Sequence, residues 1–360
     1  MNRRKERIDR GVKARSADIF ALTSYREMLY LAIPGAIPVV GLLCFSPLLS
    51  AYWREVIIST AIYALLAMSW DMLMSAGLLS LGQALFFGIG SYLAGSLNYY
   101  AGFPPILTIP IATIGGGLIC TVLLLPVLRL RGIYFAMVTL VLPLMLGRLV
   151  EATRILGGTE GLTGLTPFPN PLTALFIIQL ALLAVLFGFR RIMGSDYGLV
   201  IKGISDNDRS VMSAGLNIYW YKTQVLFLGS SVGSFAGAFG THMDMFAGMP
   251  GFALDYSIMP VAAAVVGGTG TFAGPLIGAF ILVPLSEMLR ALGSLRMVFY
   301  GLFLVVFVGG CPRVFLPISN GNISRWKDGW TYHDGTGTLA QGIQFDQNVW
   351  WRDSCFQHGL

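Results

Sequence analysis

Apolar stretches long enough to cross a bilayer recur along this chain, and they leave few other folds open to it. A transmembrane helix needs about 20 mostly apolar residues to cross the hydrocarbon core. Stretches of roughly this length predict spans at residues 29–52, 56–74, 78–101, 105–128, 133–150, 172–189, 223–247 and 297–316. A further apolar region, 257–284, is interrupted by the sequence Gly-Gly-Thr-Gly at 267–270. We therefore predict an all-α polytopic membrane protein with about 8–10 transmembrane helices and a re-entrant or broken helix near residues 262–275.

Charge is too scarce in this chain for a soluble surface. Lys, Arg, Asp and Glu together make up 12% of the 360 residues, against roughly 25% in soluble proteins. The basic residues form no single patch, so the net charge of +6 indicates contact with a lipid bilayer and not with nucleic acid. This composition argues against a secreted scaffold, a nucleic-acid binder and an ordinary cytosolic enzyme.

The distribution of basic residues orients the predicted spans, because cytoplasmic loops carry an excess of Lys and Arg. With residues 1–28 as a cytoplasmic N-terminal arm, fifteen of the 24 basic residues lie inside and three lie outside. The inner group comprises eight residues of the arm together with Arg129, Arg131, Arg190, Arg191, Lys202, Arg209 and Lys222. The basic residues do not decide the side of the membrane for the chain after residues 223–247. A single bent span over 257–284 would place the C-terminal tail outside, whereas a re-entrant pair would return it to the cytoplasm. The short halves and the glycine-rich break favour the re-entrant pair.

Three parts of the chain follow from this layout. The arm at 1–28 leads into a transmembrane domain at 29–318, which includes a polar cytoplasmic loop at 190–222. A polar tail at 319–360 holds four of the seven tryptophans and shows no helical period. We expect this tail to be disordered, or to result from a reading-frame change near residues 309–313.

Small residues spaced four apart predict close helix packing, because such residues share a helix face and let two backbones approach within lipid. One such series lies in the predicted span at 223–247, and a second lies at the interruption of the region 257–284. We assign helix packing to Gly229, Gly233, Gly237, Gly267, Gly268, Gly270 and Gly274.

Several catalytic motifs are missing from the sequence. It has no Gly-Lys dipeptide, and therefore no G-x-x-x-x-G-K-[ST] phosphate-binding loop, and it has no H-E-x-x-H motif or paired C-x-x-C. Residues 229–233 match the G-x-S-x-G pattern of serine hydrolases, but that motif needs a strand-to-helix turn and these residues lie in an apolar helical stretch. We predict a protein that is not an enzyme and that holds no metal or cofactor.

Two residues bear on ion-coupled transport, which generally uses carboxylates or histidines within the spans. Asp71 lies near a predicted span end, which favours a solvated or hydrogen-bonded helix end. His242 fits a hydrogen-bonded interfacial histidine better than a proton relay. The membrane core lacks the charges that a proton- or sodium-driven cycle generally uses, so an ion-coupled carrier or channel is retained only as an alternative.

The polar segment at 190–222 ends in an apolar and aromatic stretch. The spacing of Val211, Met212, Leu216, Ile218 and Trp220 predicts a short amphipathic helix, broken at Gly215, with a face to bury. Such a helix either lies on the lipid surface or docks onto a soluble partner. The pattern alone does not decide between these two interpretations.

Four ordered motifs carry a resemblance to a known family. Residues 77–90 match G-x-L-S-L-G-[QH]-x-x-F-x-G-x-G, residues 131–140 match R-G-x-Y-F-A-x-x-T-L, and residues 266–275 match V-G-G-x-G-[ST]-x-x-G-P. The segment 204–222 is similar to a cytoplasmic coupling loop. Together these motifs resemble the permease subunits of ABC importers for branched-chain amino acids, specifically the M-type member of the H/M permease pair.

The resemblance implies a function and a set of partners. It implies an ABC importer permease fold in the bacterial inner membrane, which forms half of a translocation path for branched-chain or related hydrophobic amino acids. The implied partners are a second, H-type permease subunit, two ABC ATPase subunits and a periplasmic substrate-binding protein. The permease of a urea importer, which has similar motifs, is the alternative within this class.

The resemblance also implies site residues. It favours docking of the 206–221 segment in a groove of an ATPase subunit, with a coupling role for Asp206, Asp208, Arg209, Met212, Ala214, Gly215, Leu216 and Tyr221. The first motif implies a translocation path at Gly77, Ser80, Gly82 and Gln83, with structural helix packing as the alternative. The glycine-rich outer loop at 157–164 is expected to contact the binding protein, unless it is only a flexible connector.

Overall fold

Helices dominate the computed structural model of the chain, which describes residues 50–130, 132–289 and 301. The α-helices of the described residues are α1 (Ala51–Ser75), α2 (Gln83–Ala101), α3 (Pro105–Leu124), α4 (Ile133–Thr153), α5 (Pro171–Met193), α6 (Asp196–Asp206), α7 (Asp208–Ser213), α8 (Ile218–Asp244), α9 (Asp255–Gly267) and α10 (Ala273–Met288). The predicted arm at 1–28, the first span at 29–52 and the tail at 319–360 lie outside the described residues, apart from residues 50–52. The last predicted span, 297–316, also lies outside them except for residue 301.

The polytopic all-α architecture predicted from the apolar stretches is confirmed. Within the described residues, α1, α3, α4 and α5 are each long and apolar enough to cross a membrane. Helix α8, with 27 residues, extends over about 40 Å at about 1.5 Å per residue. Helices α9 and α10 are shorter, with 13 and 16 residues.

Helix α8 lies at the centre of the bundle, packed against α1, α2 and α3. Three glycines spaced four apart face its neighbours. A Cβ atom added at Gly229 would come within 3.3 Å of the Ser69 carbonyl oxygen on α1, and one at Gly233 would come within 2.6 Å of the Phe86 Cβ on α2. A Cβ at Gly237 would overlap the carbonyl oxygen of Phe87. Side chains would crowd or overlap these neighbours, so glycine is what lets the backbones approach closely.

Helices α9 and α10 form a hairpin with the predicted break between them. Gly267 and Gly274 are in contact, and a Cβ on either residue would overlap the backbone of the opposite arm of the hairpin. Of the two glycines between these residues, Gly270 takes no part in this packing, contrary to the helix-packing role predicted for it, whereas Gly268 contributes its carbonyl oxygen, which a Cβ on Gly274 would overlap. Gly268 and Gly270 lie in the loop with φ of +93° and +83°, and an added Cβ on either would meet open space. Their role is therefore to allow left-handed backbone.

Several helix boundaries differ from the predicted spans, and an irregular connection, a 3-10 helix and a side-chain cap mark three of them. The predicted span at 78–101 is helical only from Gln83, because residues 78–82 form an irregular connection that is held by hydrogen bonds described below. The predicted span at 105–128 ends as an α-helix at Leu124 and continues as a 3-10 helix, Pro126–Arg129. The predicted span at 223–247 begins earlier, at Ile218, because the Asn217 side chain caps α8 by accepting a hydrogen bond from the Trp220 N–H.

The only β-structure in the described residues is a pair of two-residue strands. Strand β1 (Leu162–Thr163) pairs antiparallel with β2 (Phe246–Ala247), which follows the end of α8. Ala247 also contacts α2 at Gly95. The ribbon therefore fastens the loop between α4 and α5 to the bundle at the end opposite to α6 and α7.

Candidate functional site

A cleft at one end of the bundle brings together residues from three of the four sequence motifs. It has a volume of about 310 Å³, and we call it the loop cleft. Its lining comprises Gly77, Leu78, Leu130, Gly132, Phe135, Ile204, Ser205, Asp206, Asn207, Asp208, Arg209 and Lys222. The turn after α1, the start of α4 and the segment that joins α6 to α7 therefore share one surface.

Helix α7 is short because both of its ends are fixed locally. The Asn207 side chain caps its first turn by accepting hydrogen bonds from the N–H groups of Arg209, at 3.0 Å, and Ser210, at 3.3 Å. The helix ends at Ser213, and Gly215 follows with a φ of +83° that favours glycine. The predicted amphipathic helix is thus a six-residue helix followed by a turn and the start of α8.

Exposed apolar side chains line this segment. Met212 is 44% exposed, Leu216 is 37% exposed and Trp220 is 61% exposed. Ala214 and Gly215 between them are exposed as well. These residues belong to three different local structures, α7, the turn and α8, and together they form an apolar surface that we call the loop patch.

The charged residues of the segment differ in their environments. Asp206 and Arg209 are exposed. Asp208, the first residue of α7, instead accepts hydrogen bonds from the Lys222 ammonium group of α8 at 3.2 and 3.1 Å. Of these three predicted coupling residues, Asp208 is the one that an ion pair ties to the bundle among the residues that the structure describes. Lys222 lies in the predicted loop, but its sequence context gave it no role beyond its charge.

Tyr221 is half-buried and packs against α6. Its ring lies 5.5 Å from that of Tyr197, measured between centroids. Burial, together with the neighbouring Tyr221, raises the pKa of Tyr197 to about 12. The Tyr197 hydroxyl group therefore stays uncharged at neutral pH, and Tyr221 contributes packing between α6 and α8.

The predicted path residues divide into two groups. Gly77 is exposed, has a φ of +71° and lies against Ser205 in the loop cleft. Ser80, Gly82 and Gln83 are buried inside the bundle. The four residues are therefore divided between the loop cleft and the interior of the bundle.

The buried connection before α2 is held by hydrogen bonds to two other helices. The Trp70 indole N–H donates to the Ser80 carbonyl at 2.7 Å, and the Leu81 N–H donates to the Thr139 hydroxyl at 3.0 Å. A Cβ at Gly82 would come within 2.7 Å of the Thr139 carbonyl oxygen. The first and second motifs therefore meet through Thr139, a motif residue whose role the sequence pattern does not reveal.

Gln83 lies at the junction of α1, α2 and α8. Its Oε1 atom accepts a hydrogen bond from the Ser69 hydroxyl at 3.2 Å, and that hydroxyl also reaches the Gly229 carbonyl at 2.8 Å. Its Nε2 atom is buried without a hydrogen-bond partner. Both N–H donors of the Gln83 amide are therefore available for another group.

Asp71 is the buried carboxylate of α1, for which the sequence allows a solvated or a hydrogen-bonded helix end. It is fully buried, which excludes the solvated alternative. Its carboxylate accepts hydrogen bonds from the N–H groups of Gly270 and Phe272 in the loop between α9 and α10. The fourth motif thus contacts the end of α1, and no local sequence signal joins these two segments.

His242 is a hydrogen-bonded residue of the bundle interior. Its Nε2 atom lies 2.6 Å from the Thr108 hydroxyl of α3, and its Nδ1 atom lies 2.9 Å from the Thr166 carbonyl oxygen. Both ring nitrogens thus have partners, as expected for a structural histidine. Across the part of the chain that the structure describes, no group of three His, Cys, Asp or Glu side chains is arranged to hold a metal ion.

Comparison with known proteins identifies the family. Residues 52–308 match the family model described as "Branched-chain amino acid transport system / permease component". The high-affinity branched-chain amino acid transport system permease proteins LivM of Escherichia coli K12 and Salmonella typhimurium LT2 are each 26% identical to this chain, over 72% of it and 69% of their own length. A probable LivM permease of Methanocaldococcus jannaschii is 24% identical over 59% of this chain and 68% of its own length. No solved structure matches the chain significantly.

The family match and the apolar helices agree on the kind of protein. The matched region begins within α1 and extends beyond α10, so it contains nearly all of the described helical bundle. The chain is a multi-pass protein of the plasma membrane. It belongs to the family of permease components of branched-chain amino acid transport systems.

Proposed function

We propose that the chain is the M-type permease subunit of an ATP-driven importer for branched-chain or related hydrophobic amino acids. The substrate class is taken from the family and from the LivM proteins that the chain resembles. In this proposal the subunit itself does not hydrolyse ATP, in keeping with the lack of a G-x-x-x-x-G-K-[ST] phosphate-binding loop in its sequence. Two separate ATPase subunits supply the energy.

The observation that carries the coupling proposal is the exposure of the loop patch. Met212, Leu216 and Trp220 present apolar surface beside the charged side chains of Asp206 and Arg209. An apolar centre with a polar rim is the composition of a protein-binding surface. We infer that one ATPase subunit binds here, and that the segment 206–221 is its docking element.

The proposed orientation places this end of the bundle in the cytoplasm. Arg129, Lys202, Arg209 and Lys222 lie at the end that carries the loop cleft, while Arg148 belongs to the opposite end of α4. Cytoplasmic segments carry an excess of basic residues. The N-terminal arm then lies on the same side.

A second, H-type permease and a periplasmic binding protein complete the proposed assembly. The outer faces of α3 and α4 expose apolar side chains, among them Ile106 at 74% and Tyr134 at 68%, which suits contact with lipid or with the second permease. At the opposite end from the loop cleft, the loop at 157–164 is the proposed contact for the binding protein. ATP-driven closure of the ATPase pair would rock the two permeases and alternate access to the path between them.

The proposed path runs beside the residues of the first motif. Gln83 contributes its unpartnered Nε2 atom, and Ser80 and Gly82 shape the connection before α2. A polar group of this kind offers a weak contact that suits passage better than tight binding. Gly77 marks the end of this path at the loop cleft. The permease of a urea importer would have the same arrangement of helices. Uptake assays with leucine and with urea distinguish the two substrates.

Capture of the ATPase subunits tests the docking proposal. We expect Leu216→Asp to abolish co-purification of these subunits with the full-length chain, because a carboxylate at an apolar contact is costly to desolvate. Leu199→Asp is the matched control, because Leu199 is 65% exposed on α6 and lies outside the patch. Equal capture by both variants would contradict docking at the loop patch.

A further inference from the structure

The ion pair between Asp208 and Lys222 joins the short helix of the loop to the central helix of the bundle. The Lys222 side chain is 11% exposed and that of Asp208 is 21% exposed. The ammonium group reaches both carboxylate oxygens, at 3.2 and 3.1 Å. Because both side chains are largely shielded from water, salt screens this pair less than an exposed one, and removal of Asp208 would leave the Lys222 ammonium group buried and unpaired.

The other connections of α7 to α8 are weak. The chain that joins them, residues 214–217, is exposed and contains Gly215 with its positive φ. On its other side α7 rests on α6, where Val211 lies close to Gly203. Among the described residues, the ion pair is the one side-chain hydrogen-bonded link between α7 and α8. A displacement of α7 therefore reaches α8 directly through this pair.

Helix α8 is well placed to pass such a displacement on. Its glycine face packs backbone to backbone against α1 and α2, and the Ser69 hydroxyl of α1 donates to the Gly229 carbonyl at 2.8 Å. On a third side, the Ser230 hydroxyl donates to the Gly117 carbonyl of α3 at 3.1 Å. Packed interfaces of this kind move as units. A force on the first turns of α8 thus acts on three neighbouring helices.

We propose that Lys222 is a positioning residue which, through its ion pair with Asp208, transmits movement of the docked loop to α8. This inference rests on the proposed function, because it takes an ATPase subunit as the source of the movement. The docking contact and the transmission use different side chains. Met212, Leu216 and Trp220 are exposed, whereas Lys222 is buried. Loss of the ion pair should therefore impair transport more than capture of the ATPase.

The test uses the complete importer, purified with its own subunits and binding protein and reconstituted in proteoliposomes, with leucine as the probe. ATP hydrolysis and leucine uptake are measured together, and capture of the ATPase subunits is measured separately. We expect Lys222→Met to retain capture within about twofold and to lower leucine uptake per ATP hydrolysed by about tenfold. Lys222→Arg keeps the charge and should recover most of the lost uptake. Lys202→Met, at an exposed lysine of α6, is the control and should change neither quantity.

Exchange of the two charges tests whether the interaction between Asp208 and Lys222 matters, as distinct from each residue alone. Asp208→Asn should reproduce the uncoupling, and the double variant Asp208→Lys with Lys222→Asp should restore at least about half of the uptake per ATP. Normal coupling in both single variants would overturn the inference while leaving the proposed function intact. A charge-swap variant that assembles fully with the ATPase subunits but still hydrolyses ATP without normal leucine uptake would also overturn the inference and leave the proposed function intact. A wild-type complex that lacks ATPase subunits or ATP-driven uptake would overturn both.

Discussion

The carboxylate of Asp71 accepts a hydrogen bond from the backbone N–H of Gly270 at 2.6 Å. Its other oxygen accepts from the N–H of Phe272 at 3.1 Å, where the backbone has a φ of +57°. A non-glycine residue with this φ is strained and persists only where its surroundings fix it. The buried carboxylate of α1 thus holds the turn of the α9–α10 hairpin in a left-handed conformation.

Replacement of Asp71 should loosen this hairpin. In Asp71→Ala two backbone N–H groups lose their acceptor, and we expect the free energy of unfolding to fall by at least about 2 kcal/mol. Asp71→Asn keeps one acceptor oxygen, so its free energy of unfolding should lie between that of Asp71→Ala and that of the wild type. Thermal unfolding in detergent measures the effect. Glu151→Ala, which removes an exposed ion pair with Arg148, should shift stability by less than about 1 kcal/mol. Equal shifts for Asp71→Ala and Glu151→Ala would refute the structural role.

Gly237 should tolerate no side chain. A Cβ there would overlap the carbonyl oxygen of Phe87, so Gly237→Ala must displace α8 from α2, at a cost of about 1–3 kcal/mol. Gly188→Ala is a matched control within α5, because its added Cβ would meet no atom within 4 Å apart from the neighbouring backbone of its own helix. That variant should be neutral or more stable by up to about 1 kcal/mol. The melting temperatures of the two purified variants test the contrast, and a stable Gly237→Ala protein would count against the packing.

Gly215 should set the angle between α7 and α8. At its φ of +83° a β-branched residue is disfavoured, so Gly215→Val should distort the turn at a cost of about 1–2 kcal/mol and reduce capture of the ATPase subunits. Gly215→Asn should reduce it less, because asparagine tolerates left-handed backbone better than other residues. Co-purification of the subunits with each variant gives the comparison. Identical capture by the valine and asparagine variants would show that the turn geometry is irrelevant to docking.

His242 should stabilise the bundle without carrying protons. Its two ring nitrogens bond to Thr108 and Thr166, so His242→Leu breaks both links and should lower the melting temperature. His242→Gln keeps a hydrogen-bonding side chain and should retain ATP-driven uptake with an unchanged pH profile. A proton relay would instead lose transport in both variants. An uptake profile that shifts with pH in His242→Gln would favour the ion-coupled alternative.

Apolar patterning was sufficient to predict most of the membrane helices. The predicted span at 56–74 lies within α1, and that at 172–189 lies within α5. Both are long apolar stretches, and their helices satisfy nearly all of their backbone hydrogen bonds internally. The glycine-rich sequence at 267–270 likewise predicted the break that separates α9 from α10.

The start of α2 could not be predicted in the same way. Leu78, Leu79 and Leu81 extend the apolar pattern to the N-terminal side of the helix, so the sequence resembles a longer span. The irregular backbone persists because the Trp70 and Thr139 side chains supply hydrogen bonds from other helices. Hydropathy carries no information about such partners.

The candidate site could be predicted in composition but not in arrangement. The spacing of the loop residues identifies its apolar side chains, yet the short α7 follows from the Asn207 cap and the Gly215 turn. The ion pair of Lys222 joins residues 14 positions apart, and the contact between Asp71 and Gly270 joins residues 199 positions apart. Neither spacing corresponds to the period of a helix or a strand, so only the folded chain shows that these groups meet.

ATP-driven leucine uptake tests the account most directly. Proteoliposomes that contain the complete importer and its binding protein are supplied with ATP on the side of the loop cleft, and uptake of labelled leucine is measured with and without an imposed proton or sodium gradient. We predict uptake that requires ATP, is indifferent to both gradients and is lost in Leu216→Asp but not in Leu199→Asp. Uptake driven by an ion gradient in the absence of ATP and of the ATPase subunits would contradict the account.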